Sequence, residues 1–328
     1  MQKQILAAGF FLLSLMLPLK ASAHSYEEIY IFGDSFSDTG NLFNFTSGAI
    51  PPSPTYFNGR FSNGPIWVEY LASKLKLTVN PNTNFAFGGA TTGFDNLGLP
   101  IFPGLQQQIN SFTTANLAAN SNALYIVWAG TNDYLDYFFN KIPNPTQSVA
   151  NLSAAITSLA AVGAQDIMVV NSPDLGKFPV TGSDTQSADY LSTLTNAHNS
   201  GLVASLNYLS QKLSPNINII PVNVNYLFDR AIAHAEEFGF TNVTDSCMGD
   251  SPVVPIDIPT QPIRCIPDKF LFWDEVHPTT ATHKLIGGFA FSALLKASVP
   301  EPSAVWGVLV FGVSAVLLRK RKQQCLTY

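Results

Sequence analysis

Four short runs of β-branched and aromatic residues punctuate the chain: Ile29-Tyr30-Ile31-Phe32, Tyr125-Ile126-Val127-Trp128, Ile167-Met168-Val169-Val170 and Ile217 to Val222. Each is apolar at successive positions, the pattern of a strand buried on both faces of a parallel sheet. Between the runs the apolar residues change to helical spacing. Ile156, Leu159, Ala160 and Val162 share one face, as do Leu191, Leu194, Ala197, Leu202, Leu206 and Leu209. A third such stretch follows Pro278, through Leu285, Ile286 and Phe289 to Leu294. This alternation predicts an α/β sheet with helices on both faces. Thr46 to Asn63, rich in Pro, Gly and Ser, reads as a long loop, and Asp245 to Asp268 reads the same way. No internal repeat or charge block divides residues 24–298, which predicts one domain there.

The ends of the chain read as addresses. Lys3, the apolar run Ile5 to Leu17 and then Ala21-Ser22-Ala23 form a secretory signal peptide pattern with cleavage after Ala23, so residues 1–23 are set aside from the fold. At the other end, Val299-Pro300-Glu301-Pro302-Ser303 precedes an apolar run from Ala304 to Leu318, the basic cluster Arg319-Lys320-Arg321-Lys322 and a tail, residues 323–328. Fifteen helical residues span about 22 Å, short of the roughly 30 Å of bilayer hydrocarbon. The basic cluster would hold its own end in the cytoplasm and leave all that precedes it outside. Residues 299–322 resemble the PEP-CTERM sorting signal of bacterial exported proteins. That resemblance implies transient membrane association through the apolar helix and removal by an exosortase-type enzyme; a retained helix would make a simple anchor instead. Either way the expected location is secreted or at the cell surface.

Charge and cysteine usage narrow the choices. Apolar residues make up 46% of the chain and charged residues only 12%, which excludes a disordered or charge-patterned protein. The net charge of −5 hides an asymmetry, because residues 24–298 hold 11 basic against 21 acidic residues. A region near −10 is no partner for nucleic-acid phosphates. Cys247 and Cys265 enclose a Pro-rich segment, and an oxidising compartment would make them a disulfide; two buried thiols are the alternative. No Cys-x-x-Cys or Cys/His cluster supports a metal site.

Residues that carry chemistry in α/β sheets gather on loops leaving the carboxyl ends of strands. The first strand run leads into Gly33-Asp34-Ser35-Phe36-Ser37-Asp38-Thr39-Gly40-Asn41, and the second into Ala129-Gly130-Thr131-Asn132-Asp133. Ser35 is a candidate nucleophile if an imidazole can take its proton. His277, in Asp274-Glu275-Val276-His277-Pro278, is the candidate base, since one turn can set the Asp274 carboxylate against one ring nitrogen while the other faces away. Pro278 disfavours helical backbone at His277 and places it in the loop before a helix. Candidate oxyanion donors are the Ser35 N–H, a glycine turn in Asn84-Phe85-Ala86-Phe87-Gly88-Gly89-Ala90 and the Asn132 amide. His24, His198, His234 and His283 are poorer bases by position, His283 serving as a cap or packing residue. There is no Gly-x-Ser-x-Gly elbow, no His-Glu-x-x-His and no phosphate-cradling Gly-rich loop.

Taken in order, the Gly33–Asn41 block, Gly59-Arg60-Phe61-Ser62-Asn63-Gly64-Pro65-Ile66-Trp67-Val68-Glu69, Asn84 to Ala90, Gly130 to Asp133 and Asp274 to His277 resemble the consecutive blocks of the GDSL, or SGNH, esterase/lipase family, over essentially all of residues 28–298. The resemblance implies a three-layer α/β/α sandwich with a central parallel sheet, flavodoxin-like in outline. It implies Ser35 as nucleophile, His277 as base and Asp274 as its orienting acid, with Ser35 N–H, Gly89 N–H and the Asn132 amide as oxyanion hole, and no cofactor. Phe36 stands where the family has Leu, a change of bulk and not of chemistry. The activity implied is hydrolysis of lipid or short-chain acyl esters, the partner being an acylated lipid, small molecule or polysaccharide. Two other readings fit the same features: an acyltransferase using an alcohol in place of water, and a surface or carbohydrate-binding protein on a hydrolase fold that no longer turns over.

Overall fold

The apolar runs become four parallel strands, β1 (Glu28–Gly33), β2 (Ala123–Trp128), β3 (Asp166–Val170) and β4 (Asn218–Val222), paired in that order. β2 and β3 are buried at every residue, as continuous apolar runs require. A less regular segment runs along the other side of β1. The Ile31 N–H donates to the Thr83 carbonyl, and the Phe85 and Phe87 N–H groups donate to Ile31 and Gly33 (2.9, 2.7 and 3.0 Å). With this segment as an irregular second strand, the sheet has the 2-1-3-4-5 order of doubly wound flavodoxin-like folds. The chain leaves β1 towards one side and returns on the other, which opens a crevice at the carboxyl ends of β1 and β2.

The computed structural model describes residues 25–249 and 265–298. The expected leader 1–23, His24, the sorting-type segment 299–322 and the tail 323–328 lie outside the described residues. Packing groups residues 25–293 into one compact unit, and of the rest of the chain only residues 294–298 are described. Among the described residues no helix is long and apolar enough to cross a membrane.

The helices are α1 (Asn41–Phe45), α2 (Trp67–Lys74), α3 (Leu105–Ala115), α4 (Thr131–Leu135), α5 (Pro145–Ala161), α6 (Thr185–Lys212), α7 (Val224–Ala233) and α8 (Thr280–Ala297). On one sheet face Phe32, Tyr125, Val127, Ile167 and Val169 pack with apolar residues of α3, α5 and α6. The alternate residues Ile31, Leu124, Ile126, Met168 and Ile220 are equally buried on the other face. There Trp128 meets Trp67 of α2 with ring centroids 5.3 Å apart, and α2 bonds α8 through Trp67 N–H to His283 Nδ1 and Tyr70 to Thr280. The result is a three-layer α/β/α domain.

Several local expectations shift. β4 is an edge strand with Asn218 and Pro221 exposed, and an edge tolerates a residue without an N–H. On α6 the inward register runs Leu191, Leu194, His198, Leu202, Leu206, Leu209, so Ala197 faces solvent and His198 takes its place in the core. Val162 lies just past the end of α5. On α8 Leu285 and Phe289 are only half-buried, the buried face being Thr282, His283, Ile286, Ala290 and Leu294. The expected loop from Asp245 begins inside a strand: β5 (Asn242–Ser246) pairs in parallel with β6 (Phe270–Phe272), and β6 leads directly into Asp274–His277. Beside it Cys247 and Cys265 are bonded, their Cα atoms 5.5 Å apart, and pack with Tyr56 and Trp273.

Candidate active site

The Ser35 loop is built on a strand end that admits no side chain. A Cβ on Gly33 would overlap the Trp128 carbonyl of β2. Gln108 of α3 grips the same glycine twice, accepting from its N–H and donating to its carbonyl, both at 2.8 Å. Asp34 then starts a turn: its Oδ1 accepts from Phe36 N–H (3.0 Å), and its carbonyl accepts from the N–H groups of Ser37 and Asp38. Buried Asp38 staples the loop to its surroundings, accepting from the N–H groups of Gly40, Asn41, Leu42 and Gly88. Phe36 supplies bulk behind the turn by stacking on Trp128 at 4.9 Å.

The base is presented by an equally tight loop. Trp273 N–H donates to the His277 carbonyl at 2.7 Å, closing the turn that follows β6. Inside it, Asp274 Oδ1 accepts from the N–H groups of Val276 (2.8 Å) and His277 (2.6 Å). His277 Nδ1 lies 2.8 Å from Asp274 Oδ2, and its Nε2 lies 2.8 Å from Ser35 Oγ. The rings of Phe61 and Phe36 flank the imidazole at 5.0 and 5.8 Å. Burial alone would raise the Asp274 carboxyl, but the charge on His277, its hydrogen bonds and the two N–H donors outweigh burial and hold it below the ordinary range. The structure therefore brings Ser35, 242 residues away in sequence, and the His277–Asp274 pair into one hydrogen-bonded chain.

A fourth group joins them. The buried Tyr56 hydroxyl donates to Asp274 Oδ2 at 2.7 Å. Burial, and then the charge of Asp274, push this phenol far above its usual range, so it remains a donor. The remaining buried histidines are poor bases here. Burial lowers His198, which is bonded to Tyr134, to about 4, and burial together with the charge of His277 lowers His283 to about 3.

The candidate oxyanion donors converge at the same crevice. Among the described residues neither the Ser35 N–H nor the Gly89 N–H has a partner, whereas the Gly88 N–H is held by Asp38. That separates two glycines which counting along the chain distinguishes only weakly. Gly89 has φ +78°, and a Cβ there would meet Asn96 Oδ1 at 2.5 Å. Asn132 donates one amide hydrogen to the Ala90 carbonyl (2.9 Å) and keeps the second. Its neighbour Asp133 is a buried staple, accepting from Thr92 N–H, Thr92 Oγ1 and Ser148 Oγ. Ser35, Gly89, Asn132 and His277 all open onto one cavity of about 370 Å³, otherwise walled mainly by apolar groups such as Leu42, Ile50, Phe61, Phe102 and Leu135. Among the described residues no group of His, Cys, Asp and Glu is arranged to hold a metal ion.

Sequence reasoning missed Tyr56, Asp38 and Gln108. Their polar character was visible, but Tyr56 and Gln108 bond residues far along the chain, and Asp38, beside its local donors, reaches Gly88 across 50 residues that no spacing pattern links.

A family model described as GDSL-like Lipase/Acylhydrolase matches residues 29–288. The chain is 32% identical over 271 residues to the thermolabile hemolysin of Vibrio parahaemolyticus, covering 79% of this chain and 62% of that protein. It therefore spans less than two thirds of that relative. It is 27% identical over 318 residues to the phosphatidylcholine-sterol acyltransferase of Aeromonas hydrophila, covering 83% of this chain and 91% of the other. The inhibitor-bound aryl esterase of M. smegmatis superposes with a TM-score of 0.46 at 15% identity, covering 83% of this chain and 99% of that one.

Proposed function

This chain belongs to the GDSL-like lipase/acylhydrolase family, and on that premise we propose that it is an exported serine hydrolase cleaving carboxylic esters through an acyl-enzyme on Ser35. The observation that carries the proposal is the 2.8 Å contact of Ser35 Oγ with His277 Nε2, at the floor of an apolar cavity. His277 takes the Ser35 proton as Oγ attacks the ester carbonyl. Asp274 holds the Nδ1–H tautomer and balances the imidazolium that forms. The oxyanion is received by Ser35 N–H, Gly89 N–H and the free hydrogen of the Asn132 amide. As the intermediate collapses, His277 returns the proton to the leaving alcohol. Water then attacks the acyl-enzyme by the same route, and Ser35 regains its proton.

The apolar wall favours acyl groups of lipids or short-chain esters over charged acids. Residues 1–23 direct export, residues 24–298 form the catalytic domain, and residues 299–322 are a sorting signal removed by an exosortase-type enzyme. A second reading, acyl transfer to an alcohol, is favoured by the acyltransferase among the relatives; product analysis with added alcohol separates the two. A non-catalytic binding protein would not need four site groups converging on one cavity with Asp274 held against the far ring nitrogen of His277.

The test is hydrolysis of p-nitrophenyl esters of increasing acyl length by the purified protein and by Ser35→Ala. The variant is expected to lose about four orders of magnitude or more in kcat. Equal inactivity of both proteins at every chain length overturns the proposal.

A further inference from the structure

The cavity over Ser35 is rimmed by large apolar side chains that face solvent. Leu99 (55% exposed) and Phe139 (47%) line its mouth, and Ile101 (69%) and Ile142 (91%) project from the same two loops. Phe45 (55%), at the end of α1, adds a third segment, packing edge-on against Phe102 of the cavity wall with ring centroids 5.5 Å apart. Single exposed apolar residues are ordinary on a protein surface, but five on three segments that supply the cavity wall or pack against it are not.

Charge is all but absent from this collar. Residues 41–59 contain no ionisable acid or base except Tyr56, which is buried. Residues 94–109 contain only Asp95, and residues 135–144 contain Tyr137 and the pair Asp136 and Lys141, bonded to each other at 3.0 Å. The domain around it is strongly acidic, with 11 basic against 21 acidic residues across 24–298.

From this we infer that the Phe45–Leu99–Ile101–Phe139–Ile142 collar is a docking surface for a neutral, zwitterionic lipid–water interface, and that the substrate enters the cavity directly from that interface. The inference rests on the esterase reading and narrows its substrate class to aggregated acyl lipids. Two observations select the occupant. The collar is continuous with the apolar cavity, so an acyl chain leaving a lipid layer for Ser35 stays in contact with apolar surface throughout. The near-neutral collar on an acidic domain also suits a phosphatidylcholine surface and disfavours an anionic one. Side chains that protrude from loop tips, as Ile142 does, penetrate a soft acyl phase without needing a complementary pocket.

The experiment uses the purified protein, its Ser35→Ala variant, which binds without turnover, and the double variant Ile101→Asp/Ile142→Asp. Both isoleucines lie outside the residues lining the cavity. Flotation with phosphatidylcholine vesicles should recover wild type and Ser35→Ala equally, with little change between about 0.1 and 1 M salt. The double variant should lose about a hundredfold in vesicle affinity, while its rate on dissolved p-nitrophenyl acetate and its labelling by a fluorophosphonate stay at wild-type level. Three results overturn docking: no flotation of wild type, equal flotation of the double variant, or preference for anionic vesicles. A wild-type dimer in light scattering that the double variant dissolves assigns the collar to a second copy and also overturns it. Absence of fluorophosphonate labelling on wild type defeats the esterase reading instead, and flotation of Ser35→Ala still decides docking by itself.

Discussion

Tyr56→Phe isolates one hydrogen bond of the site. The Asp274 carboxylate accepts from four donors: the N–H groups of Val276 and His277, His277 Nδ1–H and the Tyr56 hydroxyl. Phenylalanine retains the ring, which sits beside Phe61 at 6.2 Å and packs with Cys247 and Trp273, so the change subtracts a hydroxyl and little else. Removing a donor from a buried charged acceptor costs about 1.5–3 kcal/mol. The hydroxyl also holds the carboxylate aligned on His277 Nδ1, so if its loss is felt as misalignment of the imidazole in the transition state, kcat falls by about ten- to a hundredfold. KM should not move, because Tyr56 does not line the cavity. The sign of the pH effect also follows. A carboxylate with fewer donors binds its own proton more tightly, so the acid limb of kcat/KM moves up. Steady-state kinetics across pH on a soluble ester reads all three quantities. Wild-type kcat with an unmoved acid limb would refute the reasoning, and a selective rise in KM would show that Tyr56 acts on the substrate instead of on Asp274.

Other perturbations test separate parts of the account. Gly89→Ala forces a side chain into left-handed backbone at φ +78° and against Asn96, displacing one oxyanion donor, and should lower kcat by about a hundredfold in an ester assay with KM little changed. Burial raises the Asp34 carboxyl to about 7 from its ordinary 3.8, so between those values the folded protein holds a proton that the unfolded chain releases. Stability therefore falls as pH rises through that window. Urea denaturation should show Asp34→Asn gaining on wild type by about 2–4 kcal/mol between about pH 4 and pH 8, and parallel curves would contradict the assignment. Cys247→Ser/Cys265→Ser should lose about 3 kcal/mol of stability in denaturant melts, and intact mass with and without reductant should differ by two hydrogens for wild type only.

Legibility in the sequence followed the range of the interaction. Asp274 and His277 stand three residues apart and form their contact within one loop, so spacing alone exposed them. β2 and β3, apolar at nearly every position, were equally plain. The irregular strand at residues 83–87 was not, because Thr83 and Asn84 interrupt its apolar character and it bonds to β1 only in part. His198 shows the limit of helical periodicity: a polar residue occupies the inward position of α6, and the neighbouring Ala197 was the more apolar choice. Tyr56 contacts Asp274 across 218 residues from within a Pro-rich loop, where no period marks which side chains turn inward. Asp38 reaches Gly88 across 50 residues, and only that bond leaves Gly89 as the free donor of the pair. Local chemistry was readable; pairings made by the packing of loops were not.

The most direct measurement for the account is covalent trapping. Wild type, Ser35→Ala and His277→Ala are exposed to a fluorophosphonate, and intact mass and peptide mapping locate the adduct. The hydrogen bond between Ser35 Oγ and His277 Nε2 predicts one adduct on wild type, on Ser35, none on Ser35→Ala, and labelling of His277→Ala slowed by about a thousandfold or more. An unlabelled wild type, an adduct on a different residue, or labelling of His277→Ala at the wild-type rate would contradict it.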